Sequence, residues 1–225
     1  MKELLYEKKV DCPSCKNSFI TQKVRSLRLR VIERESDLNV LYRDINPNYY
    51  QVWICPNCGF SATESEFRDL TREQRDLIHQ KISRRWNQRD FGGVRDFKDA
   101  EESYKLALLV AQLLDKPKGY IGSICLRLAW IYRGQDMEEE EKEYLKYALN
   151  NFERAYQQEP LPIAGLDEVS LSYLVGELHR KLDKPKEAIV WYAKALDNPG
   201  IKRKRQLQLM AREQWARARE QYKEK

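Results

Sequence analysis

The sequence predicts a mainly α protein, with helical repeats over residues 66–225 behind a small N-terminal β module over residues 1–65. Three observations lead there. Two Cys-Pro-x-Cys pairs, Cys12 with Cys15 and Cys55 with Cys58, bracket a stretch of period-two hydrophobicity. The pattern turns helical at Thr71. In the helical part, sets of alanine, aromatic and alanine recur as Ala100, Tyr104 and Ala107, as Ala148, Phe152 and Ala155, and as Ala188, Tyr192 and Ala195.

In the β module, Leu27, Leu29 and Val31 alternate with Arg28 and Arg30, and Tyr50, Val52 and Ile54 alternate with Gln51 and Trp53. Both runs read as half-buried strands. Asn46-Pro47 marks a turn before the second run, because proline restricts its predecessor and offers no N–H to a ladder.

Each Cys-x-x-Cys lets one tight turn aim two thiolates at one ion, and two such turns complete a tetrahedral sulfur set. Cys12, Cys15, Cys55 and Cys58 are therefore the expected ligands of one structural zinc ion. A redox dithiol would show a single pair at a helix start. Four thiolates also close the coordination sphere, so no position stays open for catalytic water. Gly59 suits the backbone angles of such a knuckle. A module this small draws much of its folding free energy from the metal.

Thr71 with Gln74 three residues on forms a capping box that opens the helical part. Breaks near residues 91–93, 115–119, 134–137, 160–165, 183–185 and 198–200 separate helix-length segments. Gly176, Ala188, Tyr192, Ala195 and Pro199 resemble the tetratricopeptide repeat, in which small residues let paired helices approach and an aromatic fills the gap between them. A second copy runs through Leu128, Ala129, Tyr132, Gly134, Ala148, Phe152, Ala155 and Pro160. Its insertion around residues 136–142, with Glu138, Glu139, Glu140 and Glu141, reads as a solvated loop. A third and weaker copy takes residues 71–86 as its first helix and 100–107 in its second. Residues 201–222 supply a C-terminal cap.

Charged residues are 34% of the chain, and no apolar run is long enough to span a bilayer. The N-terminal residues carry no signal-peptide pattern, so a cytoplasmic location is expected. The net charge of +6 sits in residues 202–225, where nine Lys or Arg face three Glu, a surplus of six. That run could grip phosphates or an acidic surface, with a solvated helix face as the plainer expectation. Arg25, Arg28 and Arg30 beside Tyr49, Tyr50 and Trp53 could stack exposed bases, and packing of these aromatics explains them equally well. His179 and Cys125 read as packed helix residues, and His79 lies in no metal-spaced pair. No phosphate loop, paired-histidine motif or serine elbow is present, so no catalytic residue is assigned.

The segments Asn46-Pro47-Asn48-Tyr49-Tyr50, Val52-Trp53-Ile54-Cys55-Pro56-Asn57-Cys58-Gly59-Phe60 and Leu126-Arg127-Leu128-Ala129-Trp130-Ile131-Tyr132-Arg133, with Gly176-Glu177-Leu178, resemble the bacterial family known as domain of unknown function 2225. The resemblance implies a zinc-ribbon-like N-terminus followed by tetratricopeptide-like helices, and implies no activity. The expectation is a non-enzymatic adaptor that binds a protein or peptide through its repeat surface, with nucleic-acid binding as the alternative.

Overall fold

The computed structural model describes residues 3–224. Its described residues form seven α-helices and three two-stranded sheets. None of these helices is long and apolar enough to cross a membrane. The chain makes two compact units, one from residues 1–33 and 41–116 and one from residues 34–40 and 117–225. The partition at residue 65 marks the change from strands to helices. The compact units divide elsewhere, because the first two helices share a core with the cysteines.

In the first unit, β1 (Leu5–Asp11) pairs antiparallel with β2 (Ser18–Val24), from Leu5 opposite Val24 to Asp11 opposite Ser18. β5 (Val52–Ile54) pairs in the same way with β6 (Ser61–Thr63). The first cysteine pair lies in the turn of one hairpin and the second in the turn of the other. Phe19, Phe60, Leu70, Ile78 and Val110 pack around Cys12, Cys55 and Cys58 in one apolar cluster. Ile78 comes from α1 (Arg72–Lys81) and Val110 from α2 (Phe97–Leu113). The capping box of α1 is present, with Gln74 N–H donating to Thr71 Oγ1 at 3.2 Å and Thr71 N–H to Gln74 Oε1 at 3.0 Å.

Two strand expectations need correction. Ser26–Arg28 is a 3-10 turn in which Arg28 N–H bonds Arg25 O at 2.9 Å, so local bonds take the backbone groups that a ladder would use. Leu27 stands fully exposed there, and the strand that follows, β3, covers only Val31–Arg34. In β5, Trp53 is as buried as Val52 and Ile54, because α2 packs against β5 and Phe67 meets the indole edge-on at 5.6 Å. A strand covered on both faces need not alternate.

Arg95 is buried before α2. Its guanidinium donates to Phe91 O at 2.9 Å, Val52 O at 2.7 Å and Tyr49 O at 3.0 Å. Burial lowers its pKa to about 10, which leaves it charged at neutral pH. Three carbonyls thus stand in for an anionic partner.

In the second unit, α3 (Lys118–Arg133) and α4 (Glu138–Gln158) form one helical hairpin, α5 (Glu168–Lys181) and α6 (Pro185–Asp197) a second, and α7 (Arg205–Lys223) packs on α6. Ala148, Phe152 and Ala155 on α4, and Ala188, Tyr192 and Ala195 on α6, are buried throughout. Each aromatic ring covers a glycine of the preceding helix: a Cβ on Gly122 would sit 3.2 Å from Phe152, and one on Gly176 would sit 3.0 Å from Tyr192. The two hairpins therefore repeat one packing device. Ala100, Tyr104 and Ala107 on α2 are equally buried, but α2 lies mainly on β5 and β6, and Tyr104 Oη donates to Asn48 O at 3.0 Å. In place of a helix partner, that copy has a sheet.

Glu138, Glu139, Glu140 and Glu141 form the first turn of α4, correcting the expected loop, and the partial positive charge at a helix start favours acidic side chains there. His179 is buried, with Nε2 at 3.0 Å from Glu153 Oε1. Cys125 is buried, and burial pushes its thiol up to about 12, far from reactive thiolate character.

Residues 34–40, the tip of the hairpin between β3 and β4 (Val40–Tyr42), belong to the second unit. Tyr173 Oη donates to Ser36 O and Ser36 Oγ to Glu177 Oε1, each at 2.6 Å. Asp37, wholly buried, pairs with Arg133, whose guanidinium also meets Glu35 and Glu141 at 2.8 Å each.

Candidate metal centre

The two hairpin turns have the same construction. In the first, Cys12 N–H donates to Asn17 O and Lys16 N–H to Cys12 O, both at 2.9 Å. In the second, Cys55 N–H donates to Phe60 O and Gly59 N–H to Cys55 O, again both at 2.9 Å. The residue after each second cysteine is left-handed, Lys16 at φ 62° and Gly59 at φ 73°. The turns thus present four sulfurs to one point, with all four atoms within 4.8 Å of one another.

Cys12 Sγ lies 3.6 Å from Cys58 Sγ, and Cys15 Sγ lies 3.6 Å from Cys55 Sγ, each link joining the two turns. Sulfurs at the corners of a tetrahedron of roughly 2.3 Å metal–sulfur bonds stand about 3.8 Å apart. The cluster thus has the size of a single four-thiolate site and is far too open for disulfides. Three of the four cysteines are buried, and Cys15 lies on the solvent side.

Without a cation the thiols compete for protons. Hydrogen bonds from Cys12 and Cys58 pull the Cys55 thiol down, while sharing that bond with Cys55 pushes Cys12 up. Cys58 is also pushed up, first by its hydrogen bond with Cys12. The Cys55 thiolate is favoured at the expense of Cys12 and Cys58. A divalent cation removes that conflict by accepting all four as thiolates, releasing protons as it binds.

Several supporting residues carried no signal in the sequence. Trp86, from the turn after α1, donates its indole N–H to Pro56 O at 2.8 Å, and Ser83 Oγ donates to Cys58 O at 3.0 Å. Asn57 Nδ2 lies 3.5 Å from Cys15 Sγ, a donor to the most exposed sulfur. Lys16 shows that the first turn tolerates a side chain where the second has glycine. The difference lies in Trp86, since a Cβ on Gly59 would meet its ring at 2.6 Å. Gly59→Ala is therefore expected to lower stability by about 2–3 kcal/mol, combining left-handed strain with displacement of the indole. Lys16→Gly should be neutral or slightly stabilising. Chemical denaturation of the metal-loaded protein measures both, and equal stability for Gly59→Ala and the parent chain would contradict the role given to Trp86.

The other residues weighed in the sequence do not converge on this centre. Tyr50 and Trp53 are buried, so neither offers a face for an exposed base. Arg25, Arg28 and Arg30 are exposed. His79 is exposed on α1. Lys202 and Arg203 lie in the 3-10 turn Pro199–Arg203, and Lys204 pairs with Asp167 at 2.9 Å.

Comparison with known proteins agrees with this organisation in extent. The model of a family described as "Uncharacterized protein conserved in bacteria (DUF2225)" matches residues 5–218, spanning both cysteine pairs and all but the end of the last helix. A protein of Borreliella burgdorferi, described as an uncharacterized protein, is 29% identical over 164 residues, which cover 64% of this chain and 59% of that protein. The chain thus aligns with less than two thirds of this relative's length. No solved structure matches the chain.

Proposed function

Since the chain belongs to the DUF2225 family of bacterial proteins, whose description names no activity, we propose from its own residues that it is a non-enzymatic adaptor. One zinc ion, held by Cys12, Cys15, Cys55 and Cys58, fixes the first unit, and tetratricopeptide-like helical hairpins in the second recognise a protein or peptide. The observation that carries this reading is the repeated device of Gly122 under Phe152 and Gly176 under Tyr192. Pairing of this kind builds helical repeats whose surfaces bind extended segments of other chains. Zinc is favoured among thiophilic ions because four thiolates in a closed tetrahedral set suit its structural sites, and such a set leaves no place for substrate.

The test is capture of partners from a bacterial extract, with and without nuclease. A defined protein retained after nuclease treatment supports the adaptor. Loss of every retained species on nuclease treatment would instead favour nucleic-acid binding. That second reading draws on exposed Arg25, Arg28 and Arg30 and on the basic residues of the C-terminal helix. It requires affinity that falls steeply with salt, because phosphate contacts release counterions.

A further inference from the structure

A cavity of about 480 Å³ opens on the second unit between the tip of residues 34–40 and the start of α7. Its volume lies within the roughly 300–1,000 Å³ typical of ligand sites. Leu38, Val40, Leu207 and Met210 contribute apolar lining, and Arg34 and Arg205 line it as well. Leu38, Leu207 and Met210 also pack on the core around Tyr173 and Tyr192, so this lining is an exposed margin of the core.

The charges divide into spent and unspent. Glu35 is engaged by Arg133 at 2.8 Å, and Lys204 by Asp167 at 2.9 Å. Arg34 and Arg205 are exposed and have no ion-pair partner among the described residues. Gln206, also lining the cavity, has an amide with no side-chain or backbone partner among the described residues. The cavity thus combines two free guanidinium groups, one free amide and an apolar floor.

The tip that supplies Leu38 is held firmly. Leu38 is left-handed at φ 71°, with its N–H bonded to Glu35 O at 3.1 Å, and Glu35 N–H is bonded to Asn39 O at 2.9 Å. The Asp37 pairing with Arg133 anchors the same turn. A lining fixed in advance loses less freedom when a ligand docks.

We propose that this cavity binds the C-terminal end of a partner peptide whose last residues are apolar. The terminal carboxylate pairs with Arg34 and Arg205, since a guanidinium fork matches a carboxylate with two parallel N–H···O bonds. The apolar side chains enter over Leu38, Leu207 and Met210, and Gln206 donates to and accepts from a peptide group. A bare phosphate would leave the apolar lining wet, and a cationic ligand would meet two unpaired arginines. The proposal rests on the adaptor reading and gives it an address.

The probe is an array of random hexapeptides with free C-terminal carboxylates, duplicated with amidated termini and incubated with the full zinc-loaded chain. The expected result is enrichment of Leu, Ile, Val, Phe or Met at the last two positions on the free-acid array. Amidation of a selected peptide should weaken it at least about tenfold, and Arg34→Gln or Arg205→Gln should each do so by about tenfold with an unchanged melting curve. No C-terminal preference, equal binding of acid and amide, or unaltered binding by both variants would overturn the proposal. So would decanoate that occupies the cavity in preference to every peptide, which would make it an acyl-chain site.

Failure here is separable from failure of the adaptor reading. A nuclease-resistant partner still captured by the Arg34→Gln, Arg205→Gln double variant leaves the adaptor standing and removes this site. Array enrichment without any captured protein does the reverse.

Discussion

Purified protein is expected to carry one zinc ion per chain, and Cys55→Ser to lose it together with the folded state of the first unit. Cys12, Cys55 and Cys58 are buried inside the same apolar cluster as Phe60, Ile78 and Val110, so the candidate ligands are also core residues. Structural zinc contributes on the order of 10–16 kcal/mol in small zinc-dependent modules, against roughly 5–15 kcal/mol for the net stability of a whole domain. No rearrangement of short strands can recover a loss of that size. Elemental analysis together with amide exchange of residues 1–33 and 41–116 reads the result. Exchange should accelerate in that unit on mutation or chelation. Acid should act likewise, because protons compete with metal for the four thiolates. A wild-type chain that is fully folded and metal-free would end the structural-zinc reading.

The second large effect is expected at Arg133. Its guanidinium meets Asp37, Glu35 and Glu141, and Lys181 approaches Asp37 at 3.8 Å. Asp37 has no solvent exposure, so Arg133→Met would leave a buried carboxylate with only the Asn39 N–H at 3.4 Å and a distant Lys181. Removing one partner of a buried pair costs about 3–5 kcal/mol, much of it the desolvation of the charge left behind. Urea denaturation should show a loss of that order, and a change below about 0.5 kcal/mol would show that the network is slack.

Burial alone would raise the Asp37 pKa, but the hydrogen bond and charge of Arg133 outweigh it, and the net direction is downward. A carboxyl depressed in the folded state adds stability that is present above its unfolded value of about 3.9, and is lost as pH falls through the folded value. Wild type should therefore lose stability below about pH 4 more steeply than Asp37→Asn. Parallel acid melts of the two chains would contradict the assignment.

The four-cysteine cluster and the glycine behind the second pair were legible because spacing and backbone freedom leave direct marks in sequence. The capping box at Thr71 and the alanine and aromatic sets were legible for the same reason. What stayed hidden depended on partners distant in the chain. Trp86 covers the second turn from 30 residues downstream of Pro56, and nothing in its local pattern points there. β1 and β2 were missed because Glu7, Lys9, Ser18 and Ile20 all face solvent, leaving few buried residues to define a period. Trp53 was assigned to an outer face because alternation assumes one wet side, and α2 removes it. The first alanine and aromatic set gave the right burial and the wrong neighbour, since a small-aromatic-small stripe packs equally well on a helix or on a short sheet.

The early position of Ser36 in the chain has a consequence for synthesis. Its carbonyl waits for the Tyr173 hydroxyl, 137 residues later, so the second unit cannot finish its interior until Tyr173 has left the ribosome. Contacts of such separation close slowly, because a long loop must be ordered before any bond rewards it. A fragment beginning at Pro117 would keep Arg133 and Glu177 but lack the seven residues that supply Glu35 and Asp37 to the first and Ser36 to the second. Excising the helical half at its apparent boundary would remove its own keystone.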